Sequence, residues 1–274
     1  MPPGRLDRSR SHPDRHAAPR TPGGTLLDTG RMSDRERADR LLVARGLFDS
    51  RAKAQAAIAA GLVTADDRPV RKPSDEIGRD ARLAATPAFP WVSRGGVKLA
   101  HALDALAVDV TGKTCLDVGA STGGFTEVLL ARGAARVFAV DVGRDQLHPR
   151  LLARPEVVSI QETDIRALEP SRIAPKPEIV VADVSFISLK LTLPAALTLA
   201  APHATLVALI KPQFEAPRQR RKKGVVRDAE THEAVCADIA AFVASLDWRV
   251  IATLPSPIEG GEGNREFFIG AQRG

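Results

Sequence analysis

The stretch Thr114–Thr126, TCLDVGASTGGFT, constrains the fold more than any other part of the chain. An apolar run beginning at Cys115 predicts a buried strand, and it ends at Gly119, where a glycine-rich turn leads into a helix beginning near Phe125. Glycines let a ligand approach the backbone closely, and the exposed amides of the first helical turn favour an anionic or polar group. This strand, turn and helix therefore predict an α/β fold that binds a nucleotide-like cofactor.

The next strand narrows the choice of cofactor. It runs from Arg136 to Val140 and ends at Asp141, which lies 22 positions after Gly119, where a carboxylate can hold both hydroxyls of a ribose. That spacing fits a nicotinamide dinucleotide or S-adenosylmethionine. The turn reads G-A-S-T-G-G instead of G-x-G-x-x-G and has Asp117 two positions before its first glycine, which favours the methyl donor. A glycine-rich turn without a ligand is the alternative.

Seven residues are candidate contacts for S-adenosylmethionine. Asp164, in ETDIR after the third strand, is placed near the adenine edge, and a helix N-cap is its alternative role. The full set is Asp117, Gly119, Ser121, Gly123, Gly124, Asp141 and Asp164.

Composition limits the class of protein. A chain of 274 residues that is 44% hydrophobic can hold one catalytic domain and one small module, and its formal charge of +6 suggests a polyanionic partner. Cys115 and Cys236 lie far apart, so we expect no disulfide, no metal site and a reducing, cytoplasmic location. The most apolar region, Leu189–Ile210, is interrupted by Lys, Pro and His, so we expect no membrane span.

The first 32 residues differ from the remainder of the chain. They carry six arginines among Pro, Gly, Ser and His, and they predict a disordered tail. A basic arm that touches nucleic acid is the alternative, and Met32 is an alternative start of translation.

A small module over residues 33–83 follows the tail. Its first helix ends at Gly46, Ser50 caps a second helix, and short strands follow. Residues 84–92 hold two prolines and predict a semi-rigid linker to a domain over residues 93–274.

The segment RADRLLVARGLFDSRAKAQAAIAAGLVTADDRPVRKPSDEI resembles the RNA-binding module of the ribosomal-protein S-four type. The resemblance rests on the arginine-led first helix, the G-L-x-x-S-R junction and the A-G-x-V turn. It departs at Ala65-Asp66-Asp67, where the family has V-N-G, and we expect weaker RNA contact there. Candidate phosphate contacts in this module are Arg45, Arg51, Lys53, Arg71 and Lys72, with an ordinary solvated surface as the alternative.

Beyond the linker, strands and helices alternate. Further strand candidates cover residues 156–160, 178–182, 204–210, 249–254 and 266–271. This alternation predicts a mostly parallel sheet with helices on both faces. The last two strands are joined by Glu259–Asn264 without a helix, which predicts an antiparallel hairpin at that end of the sheet.

Four charged residues fall where such a sheet binds ligands, beyond the carboxyl ends of its strands. Asp183 and Lys211 each end a strand, Glu266 opens the reversed final strand, and Lys98 lies in the helix before the first strand. Each alone has an ordinary explanation as a cap or a solvated charge. The predicted topology brings all four toward one cleft beside the cofactor.

Five motifs, SRGGVKL, DVGASTGGFT, ADVSFISL, IKPQFE and EGGEGNREFF, are similar to those of the TlyA family, a group of FtsJ-like ribose 2′-O-methyltransferases. The resemblance implies a Rossmann-like S-adenosylmethionine methyltransferase domain after the RNA-binding module. It implies a catalytic set of Lys98, Asp183, Lys211 and Glu266. It also implies methylation of cytidine ribose in ribosomal RNA.

A basic segment follows the proposed catalytic Lys211. Between Pro217 and Arg227 there are six basic residues and no acids, which predicts a phosphate-binding loop, with a solvated loop as the alternative. The candidate RNA contacts in this domain are Arg94, Arg218, Arg220, Arg221, Lys222 and Lys223.

Three other functions compete with this interpretation. They are a membrane-damaging protein, because TlyA-like proteins are also called haemolysins, a non-catalytic RNA-binding protein, and a pseudouridine synthase with the same N-terminal module. The glycine-rich turn has no purpose in the last of these, which uses no cofactor. We therefore expect a monomeric methyltransferase whose partner is ribosomal RNA or a ribosomal subunit.

Overall fold

The structure, a computed structural model, describes residues 34–220 and 224–274. The predicted tail, residues 1–32, lies outside the described residues. The N-terminal domain packs two helices against short antiparallel strands; β1 pairs with β4, and β2 lies between β3 and β5. These elements are β1 (Arg35–Arg37), α1 (Ala38–Ala44), α2 (Arg51–Ala59), β2 (Val63–Ala65), β3 (Arg68–Pro69), β4 (Glu76–Gly78) and β5 (Leu83–Ala85).

Local signals explain the helix ends of this domain. Ser50 Oγ accepts from Lys53 N at 3.3 Å, which is the predicted N-cap of α2, and Gly46 after α1 has a φ of +70°. Asp66 and Asp67 both have positive φ, as the turn between β2 and β3 requires. Asp66 Oδ1 accepts from Arg82 N at 2.8 Å, so the acidic turn is tied to its own domain.

The second domain contains a seven-stranded sheet in the order β11-β12-β10-β9-β6-β7-β8. Its strands are β6 (Thr114–Val118), β7 (Arg136–Val140), β8 (Val157–Ile160), β9 (Ile179–Ala182), β10 (Ala204–Ile210), β11 (Arg249–Pro255) and β12 (Phe267–Arg273). Its helices are α3 (Gly95–Ala105), α4 (Gly124–Ala131), α5 (Pro149–Leu152), α6 (Leu189–Thr198), α7 (Pro212–Glu215) and α8 (Ala229–Ala244).

Five neighbouring strands, β10 to β8, are parallel, and β12 is antiparallel to both β10 and β11. The predicted mostly parallel sheet with a terminal antiparallel hairpin is therefore confirmed. β12, the later strand of that hairpin, is inserted between β10 and β11.

The two faces of the sheet are covered by different helices. Because side chains alternate along a strand, Cys115 faces a cluster with Leu103 of α3, whereas Leu116 faces a cluster with Leu193 of α6 and Ile239 of α8. Burying each such side chain stabilises the fold by about 1.5–3 kcal/mol. With both faces occupied, the carboxyl ends of the parallel strands remain open at one edge.

Two kinds of feature are missing from the described residues. No helix among them combines the length and the apolar character needed to cross a membrane. Nor do they contain a group of three or more His, Cys, Asp or Glu arranged to hold a metal ion.

Candidate active site

The glycine-rich turn between β6 and α4 is shaped by packing within the protein. Gly119 has a φ of +81°, and an added Cβ would lie 2.6 Å from the carbonyl oxygen of Asp183. A Cβ on Gly123 would lie 2.2 Å from Leu151, and one on Gly124 would lie 2.2 Å from Ser93 Oγ. The glycines thus let neighbouring segments approach the turn. Gly119 and Gly124 also line cavities, whereas Gly123 faces the apolar side chains of Leu147 and Leu151.

A first cavity, of about 390 Å³, lies beyond the carboxyl ends of β6, β7 and β9, and we call it the cofactor cavity. Asp141 lines it and is held by two backbone amides, Ser121 N at 2.8 Å and Gly143 N at 2.7 Å. Val142 and Ile165 form apolar walls beside it. Each carboxylate oxygen retains a lone pair after accepting one amide. An oriented carboxylate beside apolar walls fits an adenosine group.

Asp164 also lines the cofactor cavity. Its Oδ1 accepts from Arg166 N at 2.9 Å, and its Oδ2 lies 2.6 Å from Arg166 Nη2. The hydrogen bonds from Arg166 hold the pKa of this carboxyl below its usual range. Asp164 therefore caps the one-turn helix that follows it, as the alternative role predicted, and its contact with a cofactor stays a prediction.

Asp117 is fully buried in β6 beneath the turn and lines neither this cavity nor the next. Thr126 Oγ1 donates to its Oδ2 at 2.7 Å, and its Oδ1 has no hydrogen-bond partner among the described residues. Burial raises the pKa of Asp117 to about 7, and the negative charge of Asp183 acts in the same direction. Its predicted contact with the cofactor stays a prediction.

A second cavity, of about 380 Å³, adjoins the first, and we call it the acceptor cavity. The side chains of Lys98 and Lys211 line it, with Arg94 and Lys53 near its mouth. Four residues line both cavities, and together they form a shared wall: Gly119, Ser121, Asp183 and Ser185.

The four predicted catalytic residues meet here as two ion pairs. Lys211 Nζ lies 2.6 Å from Asp183 Oδ1, and Lys98 Nζ lies 2.5 Å from Glu266 Oε2. The exposed fractions of Lys98, Lys211 and Glu266 are 7%, 9% and 4%. Glu266 lies behind Lys98, outside the lining of both cavities. The topology that predicted the cleft has therefore brought the four residues together, while their catalytic roles stay predictions.

Each ion pair has a neutral polar partner that sequence analysis missed. Lys211 Nζ donates to Ser185 Oγ at 2.8 Å, and Gln213 Nε2 donates to Glu266 Oε1 at 3.3 Å. Ser185 follows Asp183 in VVADVSF and Gln213 follows Lys211 in IKPQFE, so proximity to a predicted catalytic residue was the available signal.

An aromatic pair at this edge was also missed. Phe186 is 92% exposed, has a φ of +65° and lines the cofactor cavity. Its ring centroid lies 5.1 Å from that of Phe214 in α7. The two rings come from separate strand ends, so the sequence alone did not indicate that they meet.

Three of the predicted RNA contacts of the N-terminal domain have side-chain partners within it. Arg45 donates to the carbonyl oxygens of Ala81, at 2.6 Å, and Arg79. Arg51 Nη2 lies 2.7 Å from Asp39 Oδ2, and Lys53 Nζ lies 3.0 Å from Asp49 Oδ2. Four other cations are exposed and make no side-chain hydrogen bond or ion pair within the described part of the chain: Arg40, Arg68, Arg71 and Lys72.

The predicted contacts of the second domain are only partly described. Arg94 is exposed at the acceptor cavity. Arg218 and Arg220 belong to a one-turn 3₁₀ helix, and the Arg220 side chain is exposed. Arg221, Lys222 and Lys223 lie outside the described residues.

Comparison with known proteins extends this description. Residues 91–273 match the FtsJ-like methyltransferase family, and residues 36–83 match the S4 domain. The chain is 44% identical to the 16S/23S rRNA (cytidine-2′-O)-methyltransferase TlyA of Mycobacterium tuberculosis, over 87% of the chain and 90% of that protein. It is 37% identical to the 23S rRNA (cytidine-2′-O)-methyltransferase TlyA of Campylobacter jejuni, over 65% of the chain and 69% of that protein.

A solved structure, provisionally described as a hemolysin from Streptococcus thermophilus, has a similar fold. It superposes with a TM-score of 0.71 at 39% identity, covering 87% of this chain and 88% of that one. The two family matches together cover residues 36–83 and 91–273, and the Mycobacterium tuberculosis relative and the solved structure each match 87% of the chain. The chain belongs to the TlyA family of FtsJ-like methyltransferases and carries an N-terminal S4 domain.

Proposed function

We propose that this protein transfers a methyl group from S-adenosylmethionine to the ribose 2′-hydroxyl of a cytidine in ribosomal RNA. One observation carries the proposal. Two cavities share a wall, one with a carboxylate suited to a ribose and the other with two buried lysines. A transferase needs this arrangement, because donor and acceptor must meet across a short distance. The names of the two TlyA relatives support the same reaction and substrate.

The residues of the cofactor cavity fit S-adenosylmethionine. Asp141 would hold the ribose hydroxyls and Asp164 would face the adenine. Gly119 and Ser121, in the wall shared by the two cavities, would contact the methionine part, and Gly124 would lie beside it in the acceptor cavity. Asp117 and Gly123 would shape the turn from beneath. When bound, S-adenosylmethionine supplies a methyl group that is already activated, since the electrons of the breaking carbon–sulfur bond return to a positive sulfur.

The acceptor hydroxyl is the partner that needs help, because it is mostly protonated at neutral pH. The Lys211 ammonium group is held on one side by Asp183 and donates to Ser185 on another. An ammonium has three N–H donors, so after the bond to Ser185 a donor is left for the acceptor oxygen. Lys211 would thus stabilise negative charge on that oxygen as its proton leaves to solvent and the oxygen–carbon bond forms. Lys98, paired with Glu266, places a second cation in the same cavity.

Cations on both domains would bind the RNA backbone. The exposed Arg40, Arg68, Arg71 and Lys72 are favoured over Arg45 and Arg51 as contacts of the S4 domain, because their side chains make no hydrogen bond or ion pair among the described residues. Arg94, Arg220 and the basic loop would extend this surface. The exposed ring of Phe186 is suited to stack on a base.

The expected monomeric state stays a prediction. A ribosomal substrate supports a cytoplasmic location for the protein.

Transfer of labelled methyl to purified, unmodified small and large ribosomal subunits tests the proposal. Wild-type protein should place label in ribose, and Lys211→Ala should lower turnover by on the order of 10²-fold or more. Lys190→Ala, at an exposed pair with Asp238, is the matched control and should stay near wild type. Near-normal turnover by the Lys211 variant would remove the assigned role, and absence of label with folded, cofactor-binding wild type would reject the function.

Two alternatives receive less support. The paired geometry of all four catalytic candidates favours an enzyme over a non-catalytic RNA-binding protein. Membrane damage has in its favour the description of the Streptococcus thermophilus relative as a hemolysin, and no feature of the two cavities adds to it.

A further inference from the structure

Gln213 is a buried amide in α7, two positions after Lys211, with an exposed fraction of 8%. Its Nε2 donates to Glu266 Oε1 at 3.3 Å, and the other oxygen of Glu266 lies 2.5 Å from Lys98 Nζ. The backbone of Gly260 packs on the same carboxylate, because an added Cβ there would lie 2.0 Å from Glu266 Oε1. Glu266 is therefore held from three sides.

The orientation of this amide is settled by its neighbour. If the side chain were flipped, its carbonyl oxygen would face a carboxylate oxygen, and neither atom could donate. In the orientation that donates, Gln213 Oε1 has no hydrogen-bond partner among the described residues. An apolar side chain of similar size would leave no such buried atom, so the amide serves the carboxylate better than it serves the core.

We infer that Gln213 is a positioning residue that fixes the Glu266 carboxylate and, through it, the Lys98 ammonium group in the acceptor cavity. This inference rests on the proposed methyl transfer. Gln213 and Glu266 line neither cavity, whereas Lys98 lines the acceptor cavity. Loss of the amide should therefore lower kcat and leave the KM for S-adenosylmethionine unchanged.

Two substitutions separate positioning from packing. Gln213→Leu keeps the approximate volume and removes the donor, and it should lower kcat on the order of tenfold. Gln213→Glu places a second carboxyl group against Glu266. Two carboxylates this close cannot both ionise, so they share a proton at low pH, and the protonated carboxyl group of this variant would again donate as the amide does.

The readout is the ratio of variant to wild-type kcat across about pH 6 to 9. The Gln213→Glu ratio should rise as the pH falls, and the Gln213→Leu ratio should stay flat. Gln272→Leu, on the same β12 strand as the residues after Glu266 but paired with Arg249, is the matched control and should not change kcat. A Gln213→Leu kcat within about twofold of wild type, or a flat Gln213→Glu ratio, would overturn the inference.

A measurement without catalysis keeps this test separate from the proposed function. If wild-type protein transfers no methyl, labelling of Lys98 by acetic anhydride, followed by mass spectrometry, decides the matter. The exposed Lys176 serves as the internal reference. Gln213→Leu should raise the labelling of Lys98 several-fold, because a loosened Glu266 releases the ammonium group. Equal labelling in wild type and variant would reject the positioning role.

Discussion

Asp39 in the S4 domain and Asp117 in the methyltransferase domain are both closed to solvent, yet their pKa values are shifted in opposite directions. Burial alone would raise the pKa of both. Around Asp39, hydrogen bonds from Arg37, Arg51 and Gln55 outweigh burial and hold its pKa well below the usual range. Asp117 accepts from Thr126, and burial raises its pKa to about 7.

The comparison shows that two carboxyl groups equally closed to solvent can differ in pKa because of their surroundings: cationic donors near the domain surface act on Asp39, whereas deep burial and neighbouring carboxylates act on Asp117. A group with a full set of donors, as at Asp39, holds a small domain together. A group with few donors, as at Asp117, leaves a titratable site directly beneath the glycine-rich turn.

Asp117→Asn gives the largest expected change. Because the folded pKa is raised, the stability that this carboxyl contributes is complete below about pH 4 and is lost as the pH rises through about 7. The uncharged variant should therefore be more stable than wild type at pH 8, by up to about 4 kcal/mol, and equal to it near pH 4. Urea unfolding of wild type and variant without cofactor, at both pH values, measures this difference in the free energy of unfolding.

Asp104→Asn is the control for that experiment. Asp104 pairs with Arg132 on the surface, and the hydrogen bond from Arg132 lowers its pKa, so the variant should gain no stability at either pH. A gain from Asp117→Asn that is the same at both pH values would mean that charge is not its cause.

Asp39→Ala should give the next largest change in stability. It leaves Arg37 and Arg51 without their shared carboxylate, and the free energy of unfolding of the S4 domain should fall by on the order of 3 kcal/mol. This loss lies at the low end of the range for breaking a buried ion pair, because both arginine side chains are partly exposed. Hydrogen exchange over residues 35–85 reads this domain alone. The exposed Asp80→Ala is the control, and equal protection in the two variants would contradict the structural role of Asp39.

The same contrast shows what the sequence could and could not predict. Helix caps, alternating strands and the rule for open sheets located α2, the sheet and the cleft with Lys98, Asp183, Lys211 and Glu266, because those signals are local or follow from topology. The sequence did not show which side chains pair with one another in the folded protein. Arg45 meets carbonyl groups of residues far along the chain, and Arg51 meets Asp39 of another helix. The sequence therefore did not show that these cations have partners within the domain, and their contact with RNA stays a prediction.

The glycine-rich turn was predicted from the expected close approach of a ligand, but packing within the protein also requires its glycines. Flexibility of Gly119 and Gly124 suggested close approach of a ligand, and both do line cavities. The tightest contacts of an added Cβ are nevertheless with Asp183 and Ser93 of the same chain. Packing of this kind depends on the tertiary fold and leaves no separate mark in the sequence.

The smallest expected effect distinguishes two kinds of cation in the S4 domain: those whose side chains make no hydrogen bond or ion pair among the described residues, and those that do. Lys72→Ala should weaken binding to ribosomal RNA by about 1 kcal/mol and reduce the slope of log affinity against log salt by about 1, because an exposed cation releases counterions on binding. Arg51→Ala should leave that slope unchanged while lowering the stability of the domain. Filter binding at several salt concentrations measures both, and a reduced slope for Arg51→Ala alone would reverse the assignment.

The position of β12 in the sheet limits when the active site can form during translation. Glu266 immediately precedes β12, which follows every other described strand in the chain and yet pairs with both β10 and β11. A nascent chain can form the parallel strands and expose Lys98 before this segment has been synthesised. The Lys98–Glu266 pair, however, forms only after synthesis of the segment, so this enzyme, proposed to act on ribosomes, cannot complete its own site until Glu266 and β12 have been translated.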